Sequence, residues 1–276
     1  YVQCVVKGDV EKLKELNTED VVKIVGVVKK GKTKEGIEVA VEDIHVLSKA
    51  VHPLPLDTSG TVESELDTRL RARHIDLRNP KVNAIFRIRS LILSGIREYM
   101  VENGFIEVHT PKILVAGAEG GATLFPLKYF ERDAYLAQSP QLFKQILMAS
   151  GLDYVFEIGN YFRAEKSDTA RHLAEFTMYD VEMAFIDSKE DVMKLLMRTL
   201  NYAIDYTFRK GKKFVEKLGM EKPSENWTAL RFDEVVKLVK KEKGYEIPEA
   251  DLDTKGERLL GEIMKEKGYE FYFVTE

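Results

Sequence analysis

The sequence predicts an α+β chain in two parts, a small β-domain followed by a larger domain of mixed strands and helices. Three observations carry that expectation. Residues 1 to about 50 alternate in short β-rich runs, Ile85–Asn103 places apolar residues at close to helical spacing, and Tyr154–Phe185 holds two β-branched and aromatic runs around a charged loop. With 276 residues, 44% hydrophobic and 32% charged, the chain can bury more than one core.

In the first part, the runs Val2–Val6, Val21–Val28 and Ile37–Val41 are punctuated by Gly26, Gly31 and Gly36, and Asp9–Leu16 has helical character. A β-barrel with an inserted helix is compatible with a partial OB-fold, whose open face binds single-stranded nucleic acid, and equally with a generic β-domain. Lys29, Lys30, Lys32 and Lys34 read as a solvated turn. The proline-rich, polar stretch HPLPLDTSG has the composition of a connector. After it, Arg69, Arg71, Arg73 and Arg78 surround Asp67 and Asp76, as in a hinge held by ion pairs worth about 1 kcal/mol or less each. The expected division is therefore 1–50 for the β-domain, 51–80 for a linker or hinge, and 81–276 for the larger domain.

Ile85, Ile88, Ile92, Ile96, Tyr99 and Met100 mark an amphipathic helix that Gly104 ends; Phe105, Ile106, Val108 and Thr110 then read as a strand stopped by Pro111. Residues 116–127, AGAEGGATLFPL, set Glu119 among three glycines, a flexible loop presenting one carboxylate. Ser139 and Pro140 open a helix running to Gly151, on which Gln141, Lys144 and Gln145 share one face. Ser188 caps a long helix to about Lys210. A basic, less patterned region follows, then helices over Asp233–Lys243 and Thr254–Lys267 and a last strand, Glu270–Val274.

The chemistry concentrates between the two runs of Tyr154–Phe185, where Arg163, Glu165, Lys166, Asp168, Arg171, His172 and Glu175 fall within thirteen residues. Arg163 leaves a strand with a planar guanidinium able to grip a carboxylate or phosphate through two parallel hydrogen bonds. Glu165, two residues on, shares its face on a strand. Its carboxylate can accept from an adenine amino group or orient the arginine. Arg171 and His172 could close over remaining phosphates or an adenine ring.

Phe-Arg-x-Glu ending one strand, a loop with Arg-His, and Glu-Phe-Thr opening the next resemble motif 2 of the class II aminoacyl-tRNA synthetases. The helix, strand and terminal proline over Ile85–Pro111 resemble motif 1, and QSPQLFKQ resembles the amino-acid pocket of the aspartyl-tRNA synthetases within that class. In family order, the set is most similar to the archaeal and eukaryotic type. The resemblance implies an anticodon-binding OB-fold barrel followed by a class II catalytic domain, an antiparallel sheet flanked by helices. It implies ATP-dependent attachment of aspartate to tRNA, with ATP as substrate, Mg2+, and a homodimer formed through Ile85–Pro111.

On this resemblance Arg163 and Glu165 are the catalytic pair. Glu119, Gln141, Lys144 and Arg163 hold aspartate, while Arg163, Ala164, Glu165, Arg171, His172 and Leu173 line the ATP site. Lys144 would pair with a side-chain carboxylate, match an amide poorly and reject a lysine substrate. An asparaginyl synthetase is the enzymatic alternative, and a non-catalytic tRNA-binding paralogue is the other. Gly-x-Gly-x-x-Arg, the motif 3 of the family, does not occur, and the metal ligands are expected beyond Glu276.

The net charge of −4 neither supports nor excludes an RNA partner. Cys4, the one cysteine, removes any intramolecular disulfide and fits a reducing, cytoplasmic setting. No apolar run reaches the roughly 18 to 20 residues of a membrane span, and no leader opens the chain. Because the first residue is Tyr1, the sequence reads as a partial chain.

Overall fold

The computed structural model describes residues 2–7, 10–33, 36–115, 124–165, 172–248 and 252–275. The chain groups into two compact units, Tyr1–Asn79 and Pro80–Glu276.

In the first unit, β1 (Gln3–Val6), a short helix α1 (Glu11–Lys14), β2 (Val21–Lys30) and β3 (Ile37–Ser48) build a three-stranded sheet in the order β1-β3-β2. β3 pairs parallel to β1 and antiparallel to β2. The three β-rich runs thus become strands, with β3 extending seven residues past the expected end at Val41. Val27, Val28 and Leu47 stay exposed on a sheet that does not close into a barrel among the described residues. The arginine-rich stretch forms two helices, α2 (Leu66–Arg71) and α3 (Arg73–Asp76); the buried Asp76 pairs with Arg69 of α2 and with Arg73 of its own helix. Asp57 ties the preceding loop, accepting from the Ser59 hydroxyl at 2.7 Å and from the Thr61 and Val62 amides at 2.8 and 2.9 Å.

The second unit opens with α4 (Pro80–Glu102), a 23-residue helix that starts one turn before the expected Ile85 because Pro80 suits the first helical position. The strand expected from Phe105 to Thr110 shrinks to β4 (Ile106–Glu107), followed by β5 (Ile113–Leu114). A hairpin of β6 (Pro126–Tyr129) and β7 (Arg132–Leu136) leads to α5 (Gln141–Ala149). Pro140 rather than Ser139 holds the capping position of α5, and the Ser139 hydroxyl accepts from the Gln141 amide at 3.2 Å. The two β-rich runs become β8 (Tyr154–Phe162) and β9 (Glu175–Met183), nine residues each.

Next come α6 (Lys189–Lys210), α7 (Lys212–Leu218) and β10 (Trp227–Arg231), the last two lying in the stretch that shows no clear sequence pattern. The unit ends with α8 (Phe232–Lys243), α9 (Thr254–Glu266) and β11 (Phe271–Thr275). Asp191 accepts from the Asp187 and Ser188 amides at 3.0 and 3.2 Å, fixing the start of α6 that the serine predicts.

Antiparallel pairing dominates: β9 runs against β8, and both β5 and β6 run against β7. The parallel pairs of this unit are β4–β8 and β10–β11. The Phe162 amide donates to the Ala137 carbonyl at 2.9 Å, joining the β7 side to the end of β8. One face of β8–β9 is apolar: Phe156, Ile158, Tyr179, Val181 and Met183 pack against Ile96 and Met100 of α4 and Leu195 and Ala203 of α6. A second core joins α8 and α9 through Val235, Val239, Leu260 and Ile263. Among the described residues no helix is long and apolar enough to cross a membrane.

The α4–α6 crossing depends on Gly95, where an added Cβ would come within 2.9 Å of the Ala203 Cα and 3.0 Å of the Tyr206 Cβ. Helix propensity alone favours Gly95→Ala by about 1 kcal/mol. Overpacking against backbone outweighs that gain, and the expected result is a net loss of about 1 to 3 kcal/mol in urea unfolding. An unchanged or raised unfolding midpoint would contradict this packing.

Candidate active site

Residues directly opposite in an antiparallel ladder project to the same face. The register pairs Val155 with Glu182, Glu157 with Asp180, Gly159 with Met178 and Tyr161 with Phe176. Because the alternate positions, Phe156 and Val181 among them, enter the helix-covered core, this second set forms the other face. It carries acids at one end and, beyond the strand, Arg163 at the other. The Glu157–Asp180 and Tyr161–Phe176 pairs are four residues apart, about 13 Å.

At the acidic end α5 packs over the ladder. Lys144 is 1% exposed, and its ammonium contacts the Asp180 carboxylate, the Glu182 carboxylate at 2.9 Å and the Val181 carbonyl at 3.1 Å. Gln141 donates to the same Glu182 oxygen at 3.1 Å. The expected amide and ammonium therefore do point together, and they point at two acids of the second strand. Sequence reasoning passed over Asp180 and Glu182. Their signal was the alternation of two acids with Val181 and Met183 on a strand whose other face is apolar.

Beside this group lies a second polar cluster. Glu157, also 1% exposed, accepts from the Thr110 hydroxyl at 2.7 Å, the Thr110 amide at 3.2 Å, the Tyr161 hydroxyl at 2.7 Å and the Lys112 ammonium. Lys112 also donates to the Tyr161 oxygen at 2.8 Å and lies 4.2 Å from the centre of its ring. Burial pushes the Glu157 carboxyl up, but bonds from Lys112, Thr110 and Tyr161 outweigh it and hold the group below the ordinary carboxylate range. Burial raises Tyr161 far above its ordinary value, so its hydroxyl stays a donor. Gly159 keeps the middle of the face open, since a Cβ there would stand 2.9 Å from a Glu157 oxygen.

At the far end, Arg163, Glu165, His172, Leu173 and Phe176 line one cavity. The Arg163 guanidinium lies over the Phe176 ring at 5.4 Å, a cation–π contact that directs it along the ladder face. The Arg163 amide donates to the Ala174 carbonyl at 3.0 Å, so the ladder pairing continues one step past the strand end. Ala164 lies between Arg163 and Glu165 in sequence and is not among the residues that line this cavity. The structure thus gathers four of the residues expected around ATP. Glu119 and Arg171 lie outside the described residues.

The arrangement offers a guanidinium above an aromatic ring at one end and a buried, multiply bonded ammonium at the other. The two cations stand on the same side of the ladder, an arrangement suited to a ligand with two anionic groups. Among the described residues no group of three or more His, Cys, Asp or Glu side chains could hold a metal ion. Because the structure depresses the Glu157 pKa from an ordinary 4.5, its contribution to stability is full above that pH and is lost as pH falls through the folded-state value. Glu157→Gln is therefore expected to flatten the pH dependence of urea unfolding below 4.5. Equal slopes for the two proteins would contradict the assignment.

Residues 65–276 match the profile of tRNA synthetases class II (D, K and N). The chain is 50% identical over 265 residues to the aspartate–tRNA(Asp) ligase of Pyrococcus abyssi, covering 94% of this chain and 60% of that protein. It is 46% identical over 278 residues to the aspartate–tRNA(Asp/Asn) ligase of Methanopyrus kandleri, covering 99% of this chain and 63% of that one. Among solved structures, the asparaginyl-tRNA synthetase of Pyrococcus horikoshii complexed with asparaginyl-adenylate superposes with a TM-score of 0.88 at 31% identity, covering 99% of this chain and 64% of that chain. The chain thus spans about three fifths of the length of the curated relatives it matches. With the ladder, its two polar ends and a family match over most of the sequence in agreement, the chain belongs to the class II tRNA synthetases of the D, K and N group.

Proposed function

We propose that the full-length protein attaches L-aspartate to tRNA through an aspartyl-adenylate. The observation that carries this reading is the buried Lys144, held on the ladder face by Asp180 and Glu182 and next to Gln141. The 50% identity to an aspartate–tRNA(Asp) ligase supports it. In the first step an oxygen of the aspartate α-carboxylate attacks the α-phosphorus of ATP and pyrophosphate leaves. In the second, a hydroxyl of the terminal ribose of tRNA attacks the activated carbonyl carbon and AMP leaves.

Arg163 bridges the α-carboxylate and the α-phosphate, held over Phe176 so that little reorganisation is needed as charge develops. Glu165 reads the adenine amino group, while His172, Leu173 and the backbone at Ala164 complete the nucleotide site with Arg171. Lys144 and Gln141 receive the side chain of aspartate, and Glu119 receives its α-amino group. The magnesium that accompanies ATP in this family finds no ligand set among the described residues. The first unit, expected to hold an anticodon-binding barrel over 1–50 with 51–80 as hinge, contacts tRNA. The region Ile85–Pro111 forms the interface of a homodimer, and the setting is the cytoplasm.

One observation favours asparagine as a second reading. All three Lys144 donors are taken, by Asp180, Glu182 and the Val181 carbonyl, so an incoming carboxylate must displace one while a neutral amide could donate to either acid. The test is ATP–pyrophosphate exchange by the full-length protein with aspartate, asparagine and lysine side by side. Aspartate is expected to drive the fastest exchange. Faster exchange with asparagine would replace the reading, and no exchange with any of the three would point to a non-catalytic tRNA-binding protein.

Arg163→Lys keeps the charge and loses the two-pronged geometry. Exchange is expected to fall by about a hundredfold or more with the unfolding midpoint unchanged. A rate near that of the parent would remove Arg163 from the chemistry.

A further inference from the structure

Glu157 and Asp180 stand directly opposite one another in the ladder, on the same face, and Glu182 follows Asp180 two residues along. Three carboxylates therefore share a patch about 7 to 10 Å across, where like charges directly opposite are destabilising. Two cations answer them. Lys144 takes Asp180 and Glu182, and Lys112, from the segment between β4 and β5, takes Glu157. The division is sharp: Glu157 accepts from Thr110, Lys112 and Tyr161, whereas Lys144 donates to Asp180, Val181 and Glu182 of β9.

We propose that Lys112 is a positioning residue that sets the preference of the pocket for an anionic over a neutral amino-acid side chain. It does so without touching the substrate, through Glu157. With both lysines charged, the five groups sum to −1. Without Lys112 they sum to −2, and the unmatched Glu157 competes with β9 for Lys144. An aspartate side chain then enters a more negative pocket, whereas asparagine feels little difference. Across about 10 Å at an effective dielectric near 20, one unit charge alters the affinity for an anion by about tenfold.

This inference rests on the reading of Lys144 as the side-chain pocket, so the experiment separates the two. In the full-length protein, exchange kinetics are measured for aspartate, asparagine and ATP in the parent, Lys112→Met, Glu157→Gln and the double variant. Lys112→Met is expected to raise the aspartate KM about tenfold relative to asparagine and leave the ATP KM unchanged. The double variant restores the charge sum of −1 and with it most of the parental aspartate-to-asparagine ratio. A purely structural role for Lys112 would lower kcat and the unfolding midpoint alike with both amino acids and leave the ratio of their KM values at the parental value.

If Lys112→Met fails to fold, Glu157→Gln alone carries the test. It leaves the face one negative charge lighter, and the ratio must move toward aspartate. Parental ratios in the variants that fold overturn the role of Lys112 alone. Absence of aspartate-dependent exchange in the parent overturns the pocket reading on which it stands.

Discussion

A lysine ammonium enclosed by protein is costly unless its charge and its donors are met, because burial removes several kcal/mol of hydration that only close, well-directed partners replace. Lys144 meets that condition with two carboxylates and a carbonyl drawn from three successive residues, Asp180, Val181 and Glu182. The rest of the site follows from satisfying it. α5 must lie across β9 at a fixed height, β9 must carry acids at alternate positions, and β8 must hold β9 in register. Removing the ammonium would leave Asp180 and Glu182 on one face without the cation that both of them share.

The ladder supplies that register. Its helix-covered face is an apolar seam with Met100 fully buried, packed against α4 and α6. A slip of β9 by one residue against β8 would send Asp180 and Glu182 into that seam and expose Val181. The hydrophobic face thus fixes the polar one. At the other end the same register delivers Arg163 above Phe176, so one pairing pattern sets the separation between the ammonium and the guanidinium. Helix α5 and β9 hold the ammonium, and Arg163 follows directly on β8, which suits a site whose chemistry consists mainly of positioning.

The hairpin was legible because β-branched and aromatic residues bracket a dense run of charge, and both strands form where that pattern places them. The long helices were legible from apolar spacing, with caps at Gly104 and Ser188. Less readable were the short elements. β10 lies in a stretch with no alternation, and it is held by its parallel partner β11 and by Trp227 stacking on Phe271 at 4.8 Å, a pairing 44 residues away. In the site, Lys144 and Gln141 could be found from one helix face. Their acids and the Lys112–Glu157 pair could not, because 45 residues separate Lys112 from Glu157 and nothing local marks them as neighbours. In the first unit the β-rich runs predicted strands, while closure of a barrel depends on pairings that local pattern does not carry.

The role of Lys144 is tested by a crystal structure of the full-length protein with a non-hydrolysable aspartyl-adenylate analogue. The side-chain carboxylate of the analogue is expected within hydrogen-bonding reach of the Lys144 ammonium, and its phosphate mimic bridged by Arg163 above Phe176. An analogue whose side chain lies away from Lys144, with Asp180 and Glu182 still closed over the ammonium, would contradict it.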